Sequence, residues 1–455
     1  MVQHHSAAER AQQGRAARSS VPRSAHAGFR PMTSRADPVT ILTTQDESRL
    51  PFLVPVRHGR MAESSFAFFR GAAAVMAADL AGSPSMGTTV QLCGDAHLAN
   101  FGTFASPERR QVFDVNDFDE TLPGPWEWDL KRLAVSMVLA ARDNGYPAKG
   151  EGVARKAVAA YRRSMASFAA AGSLDVWYAQ LTLDRLRETL PSKAERKRIE
   201  KNATKARGRT SEKALAKLTE TVDGSLRIAS QPPLLLPLRD VAKEADPDML
   251  RQQIHDSFTD YVDTLLPDRS HLLTQFELVD MALKVVGVGS VGTRCFVVLL
   301  RGRNQGEPLF LQIKEATRSV LEDHLPASRF DQAGQRVVTG QRLMQASTDA
   351  FLGWSHKQGG HQYYWPQFHD MKGSADVKTM NPDQLAYYGS VCAWTLAHAH
   401  ARTGDSISIS AYLGAGKVMD KAIASFALAY ADQNEEDYQA FTQAIKDERI
   451  QASSQ

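Results

Sequence analysis

Gly94-Asp95-Ala96-His97-Leu98-Ala99-Asn100, followed shortly by Phe113-Asp114-Val115-Asn116-Asp117-Phe118-Asp119-Glu120, decides how this 455-residue chain is read. An Asp, a His and an Asn on one tight loop, with carboxylates on the next strand, can supply two things. One is a group to orient an attacking hydroxyl; the other is a set of oxygen donors for magnesium. Phosphoryl transfer needs both. Residues 88–93 read as a strand feeding the first loop, and residues 111–115 as a strand delivering the acidic cluster.

Within this pair of loops Asp95 is the candidate catalytic base. His97 is a second catalytic candidate, acting directly or only shaping the loop through backbone hydrogen bonds. Asn100 and Asp117 are the first choices for the metal and Asp114 the next, while Asp119 is expected to bond the loop backbone. Turn chemistry alone accounts for one or two of these aspartates. It accounts poorly for a cluster flanked by apolar strand residues, where unpaired carboxylates are costly. Asp129, at the start of the following helix, complements that helix's dipole and reads as structural.

Working outward, residues 66–76 have the apolar and small residues of a buried helix. Residues 126–142 form a second helix, with Trp128, Leu130, Leu133, Met137 and Leu139 among its core positions. From about 150 to 260 the pattern is mostly helical, broken by Pro232, Pro233 and Pro237. Residues 193–217 carry ten Lys or Arg against three Glu, a solvated helical face by default and a surface for an anionic partner otherwise. From 278 the pattern turns to strands: 281–286, 293–300, a turn at 303–308, then 309–314. A helix at 331–347, a strand at 363–368 and a helix at 384–403 follow.

Gly287-Val288-Gly289-Ser290-Val291-Gly292 matches GxGxxG. A dinucleotide fold would follow these glycines with a helix. Here they are followed by the strand-like 293–300, a turn, and a third strand ending in Lys314. Strand, glycines, strand, turn and a strand with a lysine is the arrangement that covers ATP phosphates in protein kinases. Gly287, Gly289, Gly292 and Lys314 are therefore candidate nucleotide-binding residues. A plain β-hairpin with a surface lysine is the alternative. Alternation places Lys314 on the face of Phe310 and Gln312.

A formal charge of +3 is too small to suggest nucleic acid as a partner. Cys93, Cys295 and Cys392 form no CxxC pair, which argues against a disulfide scaffold or structural zinc and suits a reducing cytoplasm. No run of about 18 apolar residues suggests a membrane span. Residues 1–45 are expected to be a disordered basic tail without a secretory apolar stretch.

Gly94-Asp95-x-His97-x-x-Asn100 resembles the catalytic loop of aminoglycoside phosphotransferases and related small-molecule kinases. Asp117-Phe118-Asp119-Glu120 with Asp129-Leu130 resembles their metal-binding segment. The resemblance implies that Asp95 is the catalytic base, that Asn100 and Asp117 bind magnesium, and that Asp129 steadies the loop. Residues 50–440 also resemble a bacterial family catalogued as domain of unknown function 2252. The stretches that carry this are Phe68-Phe69-Arg70-Gly71, the 94–102 loop, Asn116 to Glu120, Trp126 to Leu133, Gly340 to Gln345 and His400-Ala401-Arg402.

Two departures stand out. Cys93 replaces the histidine that precedes the Gly-Asp pair in kinases. The glycine loop and lysine also come about 190 residues after the catalytic loop instead of before it. A circular permutation reconciles the order. In that arrangement the helix at 384–403 takes the place of the helix that normally precedes the catalytic loop.

The expected fold is thus α+β: a permuted protein-kinase-like, aminoglycoside phosphotransferase-like fold with a largely helical catalytic lobe and a smaller β-rich nucleotide-binding lobe. Residues 46–145 would carry the catalytic and metal loops, 146–260 a helical part of the large lobe, 261–375 the β-rich lobe, and 376–455 C-terminal helices. ATP and Mg2+ are the expected cofactors, and the acceptor is open. The glutamate that pairs with the strand lysine in kinases has no clear counterpart. Glu322 is a candidate, Glu315 should face away, and the helix at 331–347 has no glutamate. Arg336 and Arg342 could contact phosphate or the acidic loop, or be structural. Two other readings compete: a metal-dependent phosphoesterase using His398 and His400, and a nucleotide-binding protein without catalysis.

Overall fold

The computed structural model describes residues 5–189, 193–208, 210–222, 225–232, 234–241, 247–285, 289, 291–303, 307–358, 360–368 and 371–453. Helix Trp126–Asp143 is the axis of a helical body, buried at every position from Trp126 to Ala141. Helices Gly150–Ala170, Pro382–Thr403 and Val418–Lys446 pack in the same core. A helix buried all round is ordinarily apolar throughout, yet this one carries Glu127, Asp129, Lys131 and Arg132 inside. Such charges persist only where something answers them. Glu127 accepts from Met86 N at 2.8 Å, Lys131 sits 4.6 Å from the centre of the Phe426 ring, and Asp129 and Arg132 serve the candidate site.

The second element is an antiparallel six-stranded sheet. Its strands run in the order Gly353–Gln358, His361–Trp365, Pro308–Ala316, Cys295–Gly302, Phe276–Lys284 and Leu235–Pro237. Alternation divides its side chains between two cores. Phe310, Val297, Leu299 and Ala282 pack with Ala214 and Leu218 of helix Ser211–Leu218. Leu309, Leu311, Ile313, Val298 and Leu300 pack with Tyr261 and Trp365, whose rings stack 4.5 Å apart. Lys314 stands directly opposite Tyr364 on one side and Cys295 on the other. Helix Ala333–Met344 joins sheet to body: Val337, Val338 and Met344 enter the main helical core, while Ala333 N donates to Gln362 Oε1 at 2.6 Å.

Several expectations are corrected. The stretch 66–76 is two helices, Ser65–Gly71 and Ala73–Leu80. Arg57 Nη2 donates to the Gly71 carbonyl at 3.0 Å, taking an acceptor that an unbroken helix would use, and Ala72 leaves helical geometry. The segment read as helical to 260 contains the hairpin Thr219–Val222/Ser225–Ile228 and the edge strand Leu235–Pro237. Strand Gly353–Gln358 was not anticipated. The strand expected at 363–368 is His361–Trp365.

The tail is also different from expectation. Ala7–Ser20 is a helix lying against helix Ser406–Leu413, so close that a Cβ on Gly14 would meet Ser408 O at 2.1 Å. Arg18 donates to Tyr412 O at 3.0 Å and also reaches Ala411 O; Arg23 donates to Leu413 O at 2.7 Å. These carbonyls close a helix C-terminus, where they lack intrahelical partners and favour cations. The arginines that made residues 5–45 read as disordered are what dock them.

Candidate active site

The 94–100 loop is held from beneath by helix Trp126–Asp143. Asp129 accepts from Cys93 N at 2.9 Å and Gly94 N at 3.1 Å, the steadying contact that the resemblance implies. No histidine precedes the Gly-Asp pair, but His400, from helix Pro382–Thr403, brings Nε2 to 3.3 Å from the same Asp129 carboxylate. Gly94 has φ +85°, and a Cβ there would lie 2.4 Å from Glu120 O, so only glycine lets the two loops meet this closely. Thr403 Oγ1 accepts from Gln91 N at 3.1 Å, which seats the end of helix Pro382–Thr403 on the strand feeding the loop.

Asp95 points one oxygen, Oδ1, at Arg132 Nε, and its other oxygen lies 3.6 Å from His97 Nε2. Arg132 is itself fixed: Nη2 donates to Phe69 O at 2.9 Å and the guanidinium lies 4.2 Å from the Phe69 ring centre. His97 Nδ1 accepts from Ala99 N at 3.2 Å, so the ring proton sits on Nε2 and faces Asp95. Burial pushes the His97 pKa down to about 3 against the pull of Asp95. A ring kept neutral in this way positions Asp95 and shapes the loop. Asn100 Nδ2 donates to Asp95 O at 2.8 Å, which leaves the amide oxygen as the atom available to a ligand.

Lys314 crosses from the sheet to the acidic loop. Its Nζ lies 3.1 and 3.2 Å from the Asp119 oxygens and 3.7 Å from Asp117 Oδ1. Tyr364, opposite Lys314 in the sheet, donates its hydroxyl to the same Asp119 at 2.5 Å. Asp119 therefore bonds side chains of the sheet. Lys314 and Tyr364 outweigh its burial and hold its pKa low, whereas burial and the Asp119 charge push Asp117 up. The loop backbone is held by Arg336, which donates to Thr121 O at 2.6 Å and Asp119 O at 2.8 Å. Arg342 instead donates to Leu352 O at 2.6 Å, a structural contact.

Among the described residues no glutamate answers Lys314. Glu315 pairs with Arg294 and His361, and Glu322 caps a short turn through Ser319 N.

Asp95, His97, Asn100, Asp117, Asp119 and Gly289 line one open cleft of about 1000 Å³, mouth included, together with Arg49 and Arg70. Gly292 belongs to the same glycine turn: Leu50 N donates to its carbonyl at 2.8 Å. Gly287 lies outside the described residues. Asp114 is not brought to the cleft. It is buried, accepts from its own neighbour Val115 N at 2.8 Å, and burial raises its pKa to about 7. Asn100 and Asp117 are an oxygen donor set that suits magnesium, which takes one or two carboxylates and leaves the rest to water and phosphate. Among the described residues no group of three His, Cys, Asp or Glu gathers as a metal site. His398 and His400, the pair weighed for a phosphoesterase, are engaged in the helical core: His398 Nε2 bonds Val176 O at 2.9 Å and His400 Nδ1 bonds the Tyr161 hydroxyl at 2.8 Å.

The residues missed by sequence reading are Arg132, Tyr364, Arg49 and Arg70. Arg132 had a signal: it lies three residues after Asp129, hence on the same helical face, and both serve the loop.

These features define an α+β protein in which an antiparallel sheet and a buried helical body meet at a charged cleft. The chain belongs to the family described as "Uncharacterized protein conserved in bacteria (DUF2252)", whose family model matches residues 49–444. No curated protein and no solved structure matches it. Among the described residues no helix is long and apolar enough to cross a membrane.

Proposed function

We propose that this protein is an ATP- and magnesium-dependent phosphotransferase acting on a hydroxyl-bearing acceptor, built on a circularly permuted kinase-like fold. The observation that carries this reading is the meeting of Lys314 with Asp117 and Asp119, at the cleft that Asp95 and Asn100 also line. Three parts recur in kinases: a glycine turn over phosphates, a lysine on the third strand, and an Asp/Asn loop with a later Asp. Here they come from segments some two hundred residues apart and converge on one cleft. The permutation draws support from Gln91 and Thr403, since the helix that would precede the loop in an unpermuted chain ends against the strand that feeds it.

In this reading the glycine turn covers the phosphates, and Lys314 turns from Asp119 toward them. Asn100 Oδ1 and the Asp117 carboxylate would hold magnesium, which would supply positive charge against the phosphates. Asp95, with Oδ1 fixed by Arg132, presents Oδ2 to the acceptor hydroxyl. The acceptor oxygen bonds to the γ-phosphorus as the bond to the ADP oxygen breaks, and the hydroxyl proton passes to Asp95. His97 holds the loop that presents it.

A second reading, nucleotide binding without catalysis, is favoured by one observation: Lys314 is paired with the acidic loop and with no glutamate. One experiment separates them. Thermal-shift titration with ATP, GTP and ADP, with and without magnesium, on wild type and Asp117→Ala, reads binding; a phosphorylated product, lost in Asp95→Asn, reads transfer. Absence of stabilisation by any nucleotide defeats both readings, and binding without product leaves the second.

A further inference from the structure

Two arginines from the segments ahead of the catalytic loop converge on the glycine turn. Arg49 donates through Nη1 to Val291 O and packs its stem against Gly292, where an added Cβ would lie 3.0 Å away. The carbonyl of Arg70 lies 3.3 Å from the Cβ position of Gly289. Both side chains line the cleft.

Among the described residues neither guanidinium is hydrogen-bonded to a carboxylate, although Asp46 acts on Arg49 and Asp95 and Glu63 act on Arg70 from a distance. The nearest carboxylate to Arg49 is Asp46, 3.7 Å away, and Asp46 is already bonded to Arg57 at 2.7 Å and His58 at 2.8 Å. Among the described residues Arg70 makes no hydrogen bond or ion pair. The Nε of each arginine is buried without a partner. Burial lowers both pKa values, that of Arg49 to about 9, which leaves Arg49 cationic at neutral pH. Cations at a cleft wall that no carboxylate hydrogen-bonds gain from a ligand that supplies the anion. A guanidinium fork fits phosphate oxygens. Lys314 cannot supply all the positive charge while Asp117 and Asp119 hold it.

We propose that Arg49 and Arg70 form a polyphosphate-binding subsite of this cleft, beside Gly289 and Gly292, that takes the phosphate chain of the ligand. This deepens the nucleotide reading and rests on the same cleft, but it concerns the phosphate chain alone. Its chemistry is that of a cis-acting pair of arginines supplied by the N-terminal segments, distinct from the strand lysine.

The test uses the full chain and sodium tripolyphosphate, without nucleotide or divalent cation, by titration calorimetry at ionic strength matched with sodium chloride. Wild type is expected to bind, and Arg70→Met to weaken binding about tenfold or more, with Arg70→Lys restoring part of it. Arg49→Met should act in the same direction, and Arg70→Gln serves where the methionine variant does not fold by circular dichroism. Tripolyphosphate binding that the arginine changes reduce, with no binding of ATP or ADP, supports the subsite while the nucleotide reading fails. Wild type that ignores tripolyphosphate at millimolar concentration overturns the subsite. So do folded Arg70 variants that bind tripolyphosphate as wild type does, whatever ATP does.

Discussion

Lys314 Nζ lies 3.1 Å from Asp119 Oδ1, a contact that closes 195 residues of chain and ties the sheet to the acidic loop. Tyr364 reaches the same carboxylate from the neighbouring strand. Without a ligand, the cation expected to meet phosphates and the carboxylates nearest the metal donors neutralise one another. Lys314→Met leaves two neighbouring carboxylates without their cation. Because the pair is partly solvent-screened, the expected cost is about 1–3 kcal/mol, below that of a fully buried pair. Urea unfolding reads it, and an unchanged midpoint would contradict the tie between sheet and loop.

Asp95→Asn should lower phosphotransfer by about 100-fold or more while nucleotide-induced stabilisation stays near wild type. Arg132→Met should act through Asp95 orientation. It should lower kcat with less effect on the nucleotide KM, and it should also cost about 2–4 kcal/mol because Asp95 and Phe69 O lose a buried partner. Equal losses of kcat and nucleotide affinity in Asp95→Asn would instead signal a damaged loop.

Gly94→Ala tests the approach of the two loops. The positive φ alone costs about 1–2 kcal/mol, and the contact with Glu120 O must relax as well. Lower stability together with loss of turnover is expected, read by thermal unfolding and by product formation.

Glu127 predicts a pH effect of defined sign. Burial raises its pKa to about 7, with Met86 N bonded to Oε1 and Oε2 left without a partner. A carboxyl whose folded pKa exceeds its unfolded value near 4.3 binds more protons in the folded state, so its contribution to stability falls as pH rises from about 4 to about 7. Glu127→Gln should remove that fall. Lys131, Ser85 and the Met86 amide face this group and remain in both proteins, so the comparison isolates it. Urea midpoints from pH 5 to 8 should show wild type losing ground to the variant, and parallel curves would refute the prediction.

Arg18→Ala with Arg23→Ala removes the donors that close helix Ser406–Leu413. The expected cost is about 1–3 kcal/mol, with limited proteolysis cutting first within residues 5–28.

Much of this was legible in the chain. The strands around residues 89–92, 111–115, 295–302 and 308–316 follow from β-branched and apolar runs between turns, and helix Trp126–Asp143 from its periodicity. Gly94, Asp95, Asn100 and Asp117 were readable as a group because they are close in sequence. The partners of Asp119, Lys314 and Tyr364, were not readable because they are set by cross-strand register, which spacing along one segment does not encode. Asp114 was ranked behind Asp117 as a metal ligand, and at position 114 the strand still alternates and carries the carboxylate away from the cleft. The N-terminal segment failed for a different reason. A polar, arginine-rich helix has no apolar stripe to betray its docking when it binds through carbonyl groups on a helix almost four hundred residues later.

That last contact bears on the order in which the molecule can be completed. His26 is fully buried with Nε2 2.8 Å from the Tyr412 hydroxyl, and Phe29 packs against Tyr430 with ring centres 4.8 Å apart. Residues 26 and 29 therefore find their place only once residues 412 and 430 have been made. At about 5–20 residues per second, roughly 20–80 s separate the synthesis of residue 26 from that of residue 412. Throughout that interval the segment around residue 26 has no Tyr412 or Tyr430 to dock against.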